Sequence, residues 1–285
     1  MRSTIFGATG MLGKALMRHH TSDQLTGLGS ADADIRSPEQ VNRTLDATKP
    51  DWIVLSAAYT DVDGCESNRE LAQSVNTQGP INVANAAKRI GAKLLFVSTD
   101  YVFNGKKISP YKADDPRDPI NVYGKTKADA EIGVLNVLPE ACIVRTSWLF
   151  GPWGKCFPDT ILKLAATRPE LDVVDDQRGC PTYTFDLAEA IIKLCHLGAK
   201  GILHVTNAGV CSWFDFATEV LRQAGANTTV RPTTSDRFIR PAARPGYSVL
   251  SHSGLEPYGI RMRHWEKTLP DYLLLRNTAY SGVEP

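Results

Sequence analysis

One short stretch near the start constrains this chain more than any other: Gly7-Ala8-Thr9-Gly10-Met11-Leu12-Gly13. It follows a strand-like apolar run, Arg2 to Phe6, and precedes a stretch with helical spacing, Lys14 to His20. Glycines at Gly7, Gly10 and Gly13 permit a tight strand-to-helix turn, let backbone approach a pyrophosphate, and allow the helix to pack closely on the strand. The helix that follows offers unpaired N–H groups and a positive dipole end. The bare spacing also occurs in ordinary glycine-rich turns. Its place between a strand and a helix is what points to a dinucleotide.

The rest of the first half repeats the strand–helix rhythm. Leu25 to Leu28 reads as a strand. Ser37 to Thr48 reads as a helix, with Ser37 as its cap and Pro38 in its first position. Strands follow at Asp51 to Ala57, Lys93 to Ser98 and Ile143 to Trp148, with a helix over about Arg69 to Gly91 between the first two. Strands alternating with helices argue an α/β fold, a Rossmann-like doubly wound parallel sheet over residues 1–150. After Gly151-Pro152-Trp153-Gly154 the rhythm loosens. Helices are expected at Phe157 to Thr167, Thr184 to Leu197 and Ser212 to Ala224, and strands at Leu171 to Asp175 and Gly201 to Val205, with a turn at Gly179 to Thr182. This predicts a smaller C-terminal substrate-binding domain over 151–285, mainly 151–179 and 205–285, with about 180–200 returning to the first. The Arg- and Pro-rich segment 227–246 is expected to form loops over a cleft.

Charge is almost balanced, with 32 basic and 31 acidic residues. No excess of one sign points to nucleic acid or a membrane surface. The six cysteines are scattered without a C-x-x-C pair, as expected of reduced thiols in a cytoplasmic protein and not of a disulfide framework or a zinc site. The chain enters a strand at once, without a signal-like start, and has no apolar run of about 18 residues.

The candidate chemistry lies between Ser98 and Lys127. Thr99 ends a strand-like run, so its hydroxyl belongs at the carboxyl edge of the sheet, where ligands bind in open α/β folds. Tyr123 and Lys127 are spaced i, i+4. On a helix they share a face, where an ammonium near a phenol would lower the phenol pKa toward that of a useful proton donor. Asn76, inside the helix after the third strand, is a candidate support for the site. Small residues from Ala57 onward would let a flat cofactor ring lie against backbone. The second strand ends in Gly29-Ser30 and lacks the acidic residue, about 20 positions on, that takes a ribose 2′-hydroxyl. Ser30 does not repel a 2′-phosphate, which leans towards NADPH or the use of both NADPH and NADH. Trp148, at a strand end, is a candidate for stacking on a sugar or base. Arg237, Arg240 and Arg244 are candidates for a diphosphate, which a guanidinium grips with two parallel hydrogen bonds.

GATGMLG, AAYTDVD, STDYVFNG, NVYGKTK, RTSWLFG, the GCPT turn and ARPGYSVLS occur in this order. Together they resemble the extended short-chain dehydrogenase/reductases, and within them the dTDP-4-dehydrorhamnose reductases, over nearly the whole chain. The resemblance implies NAD(P)H-dependent reduction of a nucleotide-linked 4-ketosugar. It puts the catalytic set on Thr99, Tyr123 and Lys127. It puts cofactor contacts on Gly10, Met11, Leu12, Asp34, Ile35, Ala58, Tyr59 and Thr60, with Tyr123 and Lys127. Sugar-nucleotide contacts fall on Thr99, Asp100, Tyr101 and Trp148, with Val62 and Asp63 nearby. Some members bind Mg²⁺ at a dimer interface through glutamates. The matching position after the glycine turn is Ala15, so no metal and no metal-bridged dimer is expected, only a monomer or weak dimer. Two alternatives stay open: reduction of another nucleotide-linked 4-keto-6-deoxysugar, and a non-catalytic regulatory subunit of the methionine adenosyltransferase type.

Overall fold

A computed structural model describes residues 1–19 and 23–281; His20, included in the expected first helix, lies outside them. Strands β1 (Arg2–Phe6), β2 (Gln24–Leu28), β3 (Trp52–Leu55), β4 (Lys93–Thr99) and β5 (Cys142–Thr146) pair in parallel in the order β2-β1-β3-β4-β5, and Gly201–His204 adds to β5 as the sixth strand. The order reverses at β1, which has β2 on one side and β3 on the other. The crevice at that reversal is where an open α/β sheet takes a ligand.

The central strands are apolar without a break because both sheet faces are covered. Successive side chains point to opposite faces. Ile5, Val54, Leu95 and Val144 join Leu12 and Leu16 of helix α1 (Met11–Arg18) and Leu187, Ile191 and Leu194 of helix Thr184–His196. Phe6, Ile53, Leu55, Phe96 and Ile143 face the other way. They pack with Val41 and Leu45 of helix α2 (Pro38–Thr48), Val83 and Ala87 of helix Gly79–Ile90, and Ala130 and Val134 of helix Val122–Val137. Ser37 caps α2 by accepting from the Gln40 N–H at 3.3 Å.

The expected helix over 69–91 is instead three pieces: Arg69–Gln73, a π-helical turn Ser74–Gln78, and Gly79–Ile90. A π-turn of this kind commonly marks a functional site. The strand expected to reach Trp148 stops at Thr146, because Trp148 turns to a left-handed backbone with φ of 47°. The segment 227–246 is not all loop either: Thr229–Thr233 pairs in parallel with Glu170–Val174. These strands and helices Phe157–Ala165 and Trp213–Gln223 share a smaller core around Ile161, Leu171, Val173, Ala217 and Leu221. Ser212 and Asp215 cap the second of those helices reciprocally, as its sequence invites. No helix among the described residues is long and apolar enough to cross a membrane.

Candidate active site

A cleft of about 1110 Å³ opens at the carboxyl edge of β1, β3, β4 and β5. At its floor the glycine turn closes on itself. Gly7 has φ of 92°, and a Cβ there would sit 2.6 Å from the Ala57 nitrogen. A Cβ on Gly13 would collide with the Gly7 carbonyl and the Ala8 backbone. Gly10 caps α1 without any side-chain acceptor. The first N–H groups of α1 therefore face the cleft without a side-chain partner, a cradle that fits the pyrophosphate of a dinucleotide. Met11, Leu12, Ser30, Asp34, Ile35, Ala57, Ala58 and Thr60 line the same cleft.

Tyr59 does not line it; its backbone is what matters. Asn76, fully buried in the π-turn, accepts from the Tyr59 N–H at 2.8 Å and donates to the Tyr59 carbonyl at 3.0 Å. It also reaches Thr126 Oγ1 at 3.4 Å. One amide thus ties the loop after β3 to helix Val122–Val137. At the ribose end Arg36 holds Asp34 through Nε and Nη2, which keeps that carboxyl below its ordinary range. Arg36 lines the cleft beside Ser30, so this end offers a cation and a hydroxyl to a 2′-phosphate.

Thr99, Tyr123 and Lys127 meet in the cleft, with Asp100 and Tyr101. The Thr99 hydroxyl lies in hydrogen-bond reach of the Tyr123 phenol, donates to Asp100 Oδ1 at 3.0 Å and accepts from the Tyr101 N–H at 3.2 Å. Asp100 is 2% exposed; burial pushes its carboxyl up to about 7, against hydrogen bonds from the Ser248 and Thr99 hydroxyls. The Tyr123 phenol is raised and not lowered as expected from Lys127. Lys127 Nζ donates to the Val97 carbonyl at 2.7 Å and lies over the Phe96 ring. Desolvation and the Asp100 charge push the Tyr123 phenol well above its ordinary range, against the Thr99 hydrogen bond. A proton donor for a newly formed alkoxide must hold its proton until the alkoxide appears, and a raised phenol does so.

Burial pushes the Lys127 ammonium down to about 7, with the Glu131 charge opposing. The unfolded chain, with lysine near 10.5, binds more protons than the folded one between those values. Stability should therefore rise with pH from about 7 to about 10, and the cost of charging this amine is present in full below 7. Lys127→Met is accordingly expected to melt at least about 3 °C above the wild type at pH 6.5. The gap should close by pH 10 in a thermal-melt series, while ketone reduction is lost. A lower melting point for the variant at pH 6.5 would contradict this.

Trp148 reaches the cleft, but one of its faces is taken by Trp213, with ring centroids 3.5 Å apart and planes 6° apart. Its indole also lies against Gly179, where a Cβ would come within 2.5 Å. The aromatic wall facing a ligand is therefore Trp148, Trp213 and Phe157 together. The candidate arginines lie outside the cleft lining, though Arg244 bonds to Tyr101, which is part of it. Arg237 sits exposed on a short 3-10 turn and Arg244 does not line the cleft. Arg244 Nη1 donates to Asp63 Oδ1 at 2.5 Å, Arg240 reaches Asp63 Oδ2 at 3.3 Å, and the Ala242 N–H adds to the same carboxylate. Asp63 is thus a tether for the 240–244 strap, and Val62 alone of that pair lines the cleft. The cations on the cleft wall are Arg36, Lys127 and Lys155. Trp213, Phe157, Arg36 and Lys155 had no local signal in the sequence, because each arrives from a different element. The six cysteines are all buried. No group of three or more His, Cys, Asp or Glu among the described residues could hold a metal, and Ala15 is packed in the core.

A family model described as the RmlD substrate binding domain matches residues 1–276. The spore coat polysaccharide biosynthesis protein SpsK of Bacillus subtilis is 43% identical over 277 residues, covering 96% of this chain and 98% of that protein. A dTDP-4-dehydrorhamnose reductase of Mycobacterium tuberculosis is 42% identical over 282 residues, covering 94% and 91%. The crystal structure of a dTDP-4-dehydrorhamnose reductase from Bacillus anthracis in complex with NADP superimposes with a TM-score of 0.93 at 39% identity, covering 96% of this chain and 99% of that one.

Proposed function

The chain belongs to the RmlD substrate binding domain family, and on that premise we propose that it is an NADPH-dependent dTDP-4-dehydrorhamnose reductase, with NADH as the weaker cofactor. The reaction is reduction of the C4 ketone of dTDP-4-dehydro-L-rhamnose to the alcohol of dTDP-L-rhamnose. The observation that carries this reading is the convergence of Thr99, Tyr123 and Lys127 at the sheet edge, in the same cleft as the uncapped glycine turn. A regulatory subunit would have no need of that convergence.

When bound, the dinucleotide supplies the hydride. Gly10, Met11, Leu12 and Gly13 would hold its pyrophosphate through the N-terminus of α1. Arg36 and Ser30 would receive its 2′-phosphate, with Asp34 and Ile35 beside the ribose. Ala57, Ala58 and Thr60 would pack against its flat ring. Tyr123 would give its proton to the sugar oxygen as charge develops there, and Thr99 would orient that oxygen. Asp100, on the cleft wall beside Thr99, suits a sugar hydroxyl, which would donate to it. Lys127 would restore the proton to Tyr123 through the cofactor ribose. Such proton donation contributes about 10² to 10⁴ in rate. By this reading residues 1–150 with about 180–205, and Leu255 and Ile260 that pack in the same core, would form the cofactor half, and the remainder, with Trp148, Trp213 and Phe157 at the seam, the sugar-nucleotide half.

Purified protein with dTDP-4-dehydro-L-rhamnose and NADPH should lose the absorbance of the reduced nicotinamide in proportion to alcohol formed. No loss with that sugar, and turnover of a different nucleotide-linked 4-ketosugar, would reject the substrate while keeping the reaction class.

A further inference from the structure

Glu131 stands one helical turn beyond Lys127, so Tyr123, Lys127 and Glu131 form a ladder at i, i+4 and i+8 of helix Val122–Val137, on one face of the helix. Its carboxylate is wholly buried and fully engaged. Oε1 accepts from Ser98 Oγ at 2.6 Å and from Arg145 Nε at 2.9 Å. Oε2 accepts from Arg145 Nη2 at 2.7 Å and from Arg117 Nε at 2.6 Å. Arg145 is itself buried and donates onward to the Ala113 carbonyl at 3.2 Å. Burying a carboxylate and a guanidinium rarely adds stability over an apolar pair, so this network calls for another reason.

Its place supplies one. Ser98 lies between Val97, whose carbonyl takes the Lys127 ammonium, and Thr99, whose hydroxyl meets Tyr123. Glu131 therefore fastens the catalytic helix to β4 at the residue between the two strand contacts of the active site. Its charge also opposes desolvation of the Lys127 ammonium.

We propose that Glu131 is a positioning residue: its buried carboxylate, held by Ser98, Arg145 and Arg117, keeps Lys127 charged and sets the register between Lys127 and Thr99. The groups that bear on this titration come from every side. Tyr123 shares the helix, and Asp100 comes from the turn after β4. Arg145 comes from β5, Arg117 from the loop before the helix, and His204 from the sixth strand, its Nε2 at 3.3 Å from Arg145. Asn76 and Thr77 of the π-turn meet the helix as neutral groups. The kinetic part of the test rests on the ketoreductase reading; the titration part does not.

The experiment is a pH titration of ¹³C-labelled lysine by NMR in the ligand-free protein, with the Lys127 signal assigned by its loss in Lys127→Met. In Glu131→Gln the Lys127 midpoint should fall by about one unit or more. In Glu131→Asp, which keeps the charge, it should return toward the wild type. Ser98→Ala should leave the midpoint unmoved while lowering kcat more than it raises KM. The upper-pH limb of kcat in Glu131→Gln should move down with the midpoint. If Glu131→Gln fails to fold by circular dichroism, Glu131→Gln/Arg145→Met is compared with Arg145→Met alone, so that the carboxylate is the one charge that differs, and the Lys127 midpoint should be lower in the double variant. An unchanged Lys127 midpoint in a folded variant lacking the carboxylate overturns the proposal, whatever sugar the enzyme reduces.

Discussion

Tyr123→Phe is expected to lower kcat for ketone reduction by about 10³, within the range that a single proton donor supplies, while the dissociation constant for NADPH measured by fluorescence titration changes less than about twofold. The split follows from the geometry. The phenol oxygen meets the Thr99 hydroxyl at the end of β4, whereas the cradle for the dinucleotide is built from the Gly7–Gly13 turn and α1. Losing one hydroxyl leaves the Tyr123 ring in its edge-to-face contact with Tyr101, whose centroid lies 5.9 Å away, so the fold should keep its melting temperature. The other acidic proton on that side of the cleft belongs to Asp100, held up to about 7 by burial. A variant that kept full turnover would transfer the donor role to Asp100, and Asp100→Asn would then be the variant that fails.

Gly124→Ala is expected to do comparable damage by a route with no chemistry in it. A Cβ at Gly124 would lie closer than 3.0 Å to both the carbonyl oxygen and carbon of Tyr101, and close to the Pro119 ring. The obstacle is backbone, which cannot swing aside as a side chain could. The first turn of the catalytic helix must then lift off the Asp100–Val102 turn, and Tyr123 lifts with it. Overpacking of this kind costs about 3 kcal/mol, and a displacement of about 1 Å at the donor costs about 10² in rate. Chemical denaturation and steady-state kinetics on the same preparation check both. A variant with wild-type stability and kcat would mean that the helix does not press on Tyr101 in solution. The small residue after Tyr123 is thus required by close approach, since its own backbone is ordinary helix.

Much of this site was legible in the chain because much of it is local. The glycine turn, the Ser37 and Ser212 caps and the i, i+4 spacing of Tyr123 and Lys127 concern neighbours in sequence, and each stands where expected. The alternation of strands and helices announced a doubly wound parallel sheet. Misreadings arose where a local rule met a distant partner. Asn76 was identified as a support, but the π-turn that aims it at Tyr59 was not, because that turn answers to Thr126 on another helix. Arg244 has the chemistry of a phosphate ligand; that it also pairs with Asp63, far away in sequence, could not be read from the chain. Lys127 was expected to face the phenol and instead points to Val97, since a buried ammonium takes the nearest strong acceptor.

By itself, then, the order of residues determined the layered α/β scheme, the edge of the sheet at which the cleft opens and the meeting of Thr99, Tyr123 and Lys127 there. Hydrophobic period, turn chemistry and capping act within a few residues, so they can be read along a line. Which charges neutralise one another was decided only by the tertiary structure. Ser98, Arg117, Glu131 and Arg145 come from two strands, a loop and a helix, and Trp148 meets Trp213 from far along the chain. The free energy of a buried charge or ring depends on what surrounds it in three dimensions, and no spacing along the chain encodes those surroundings.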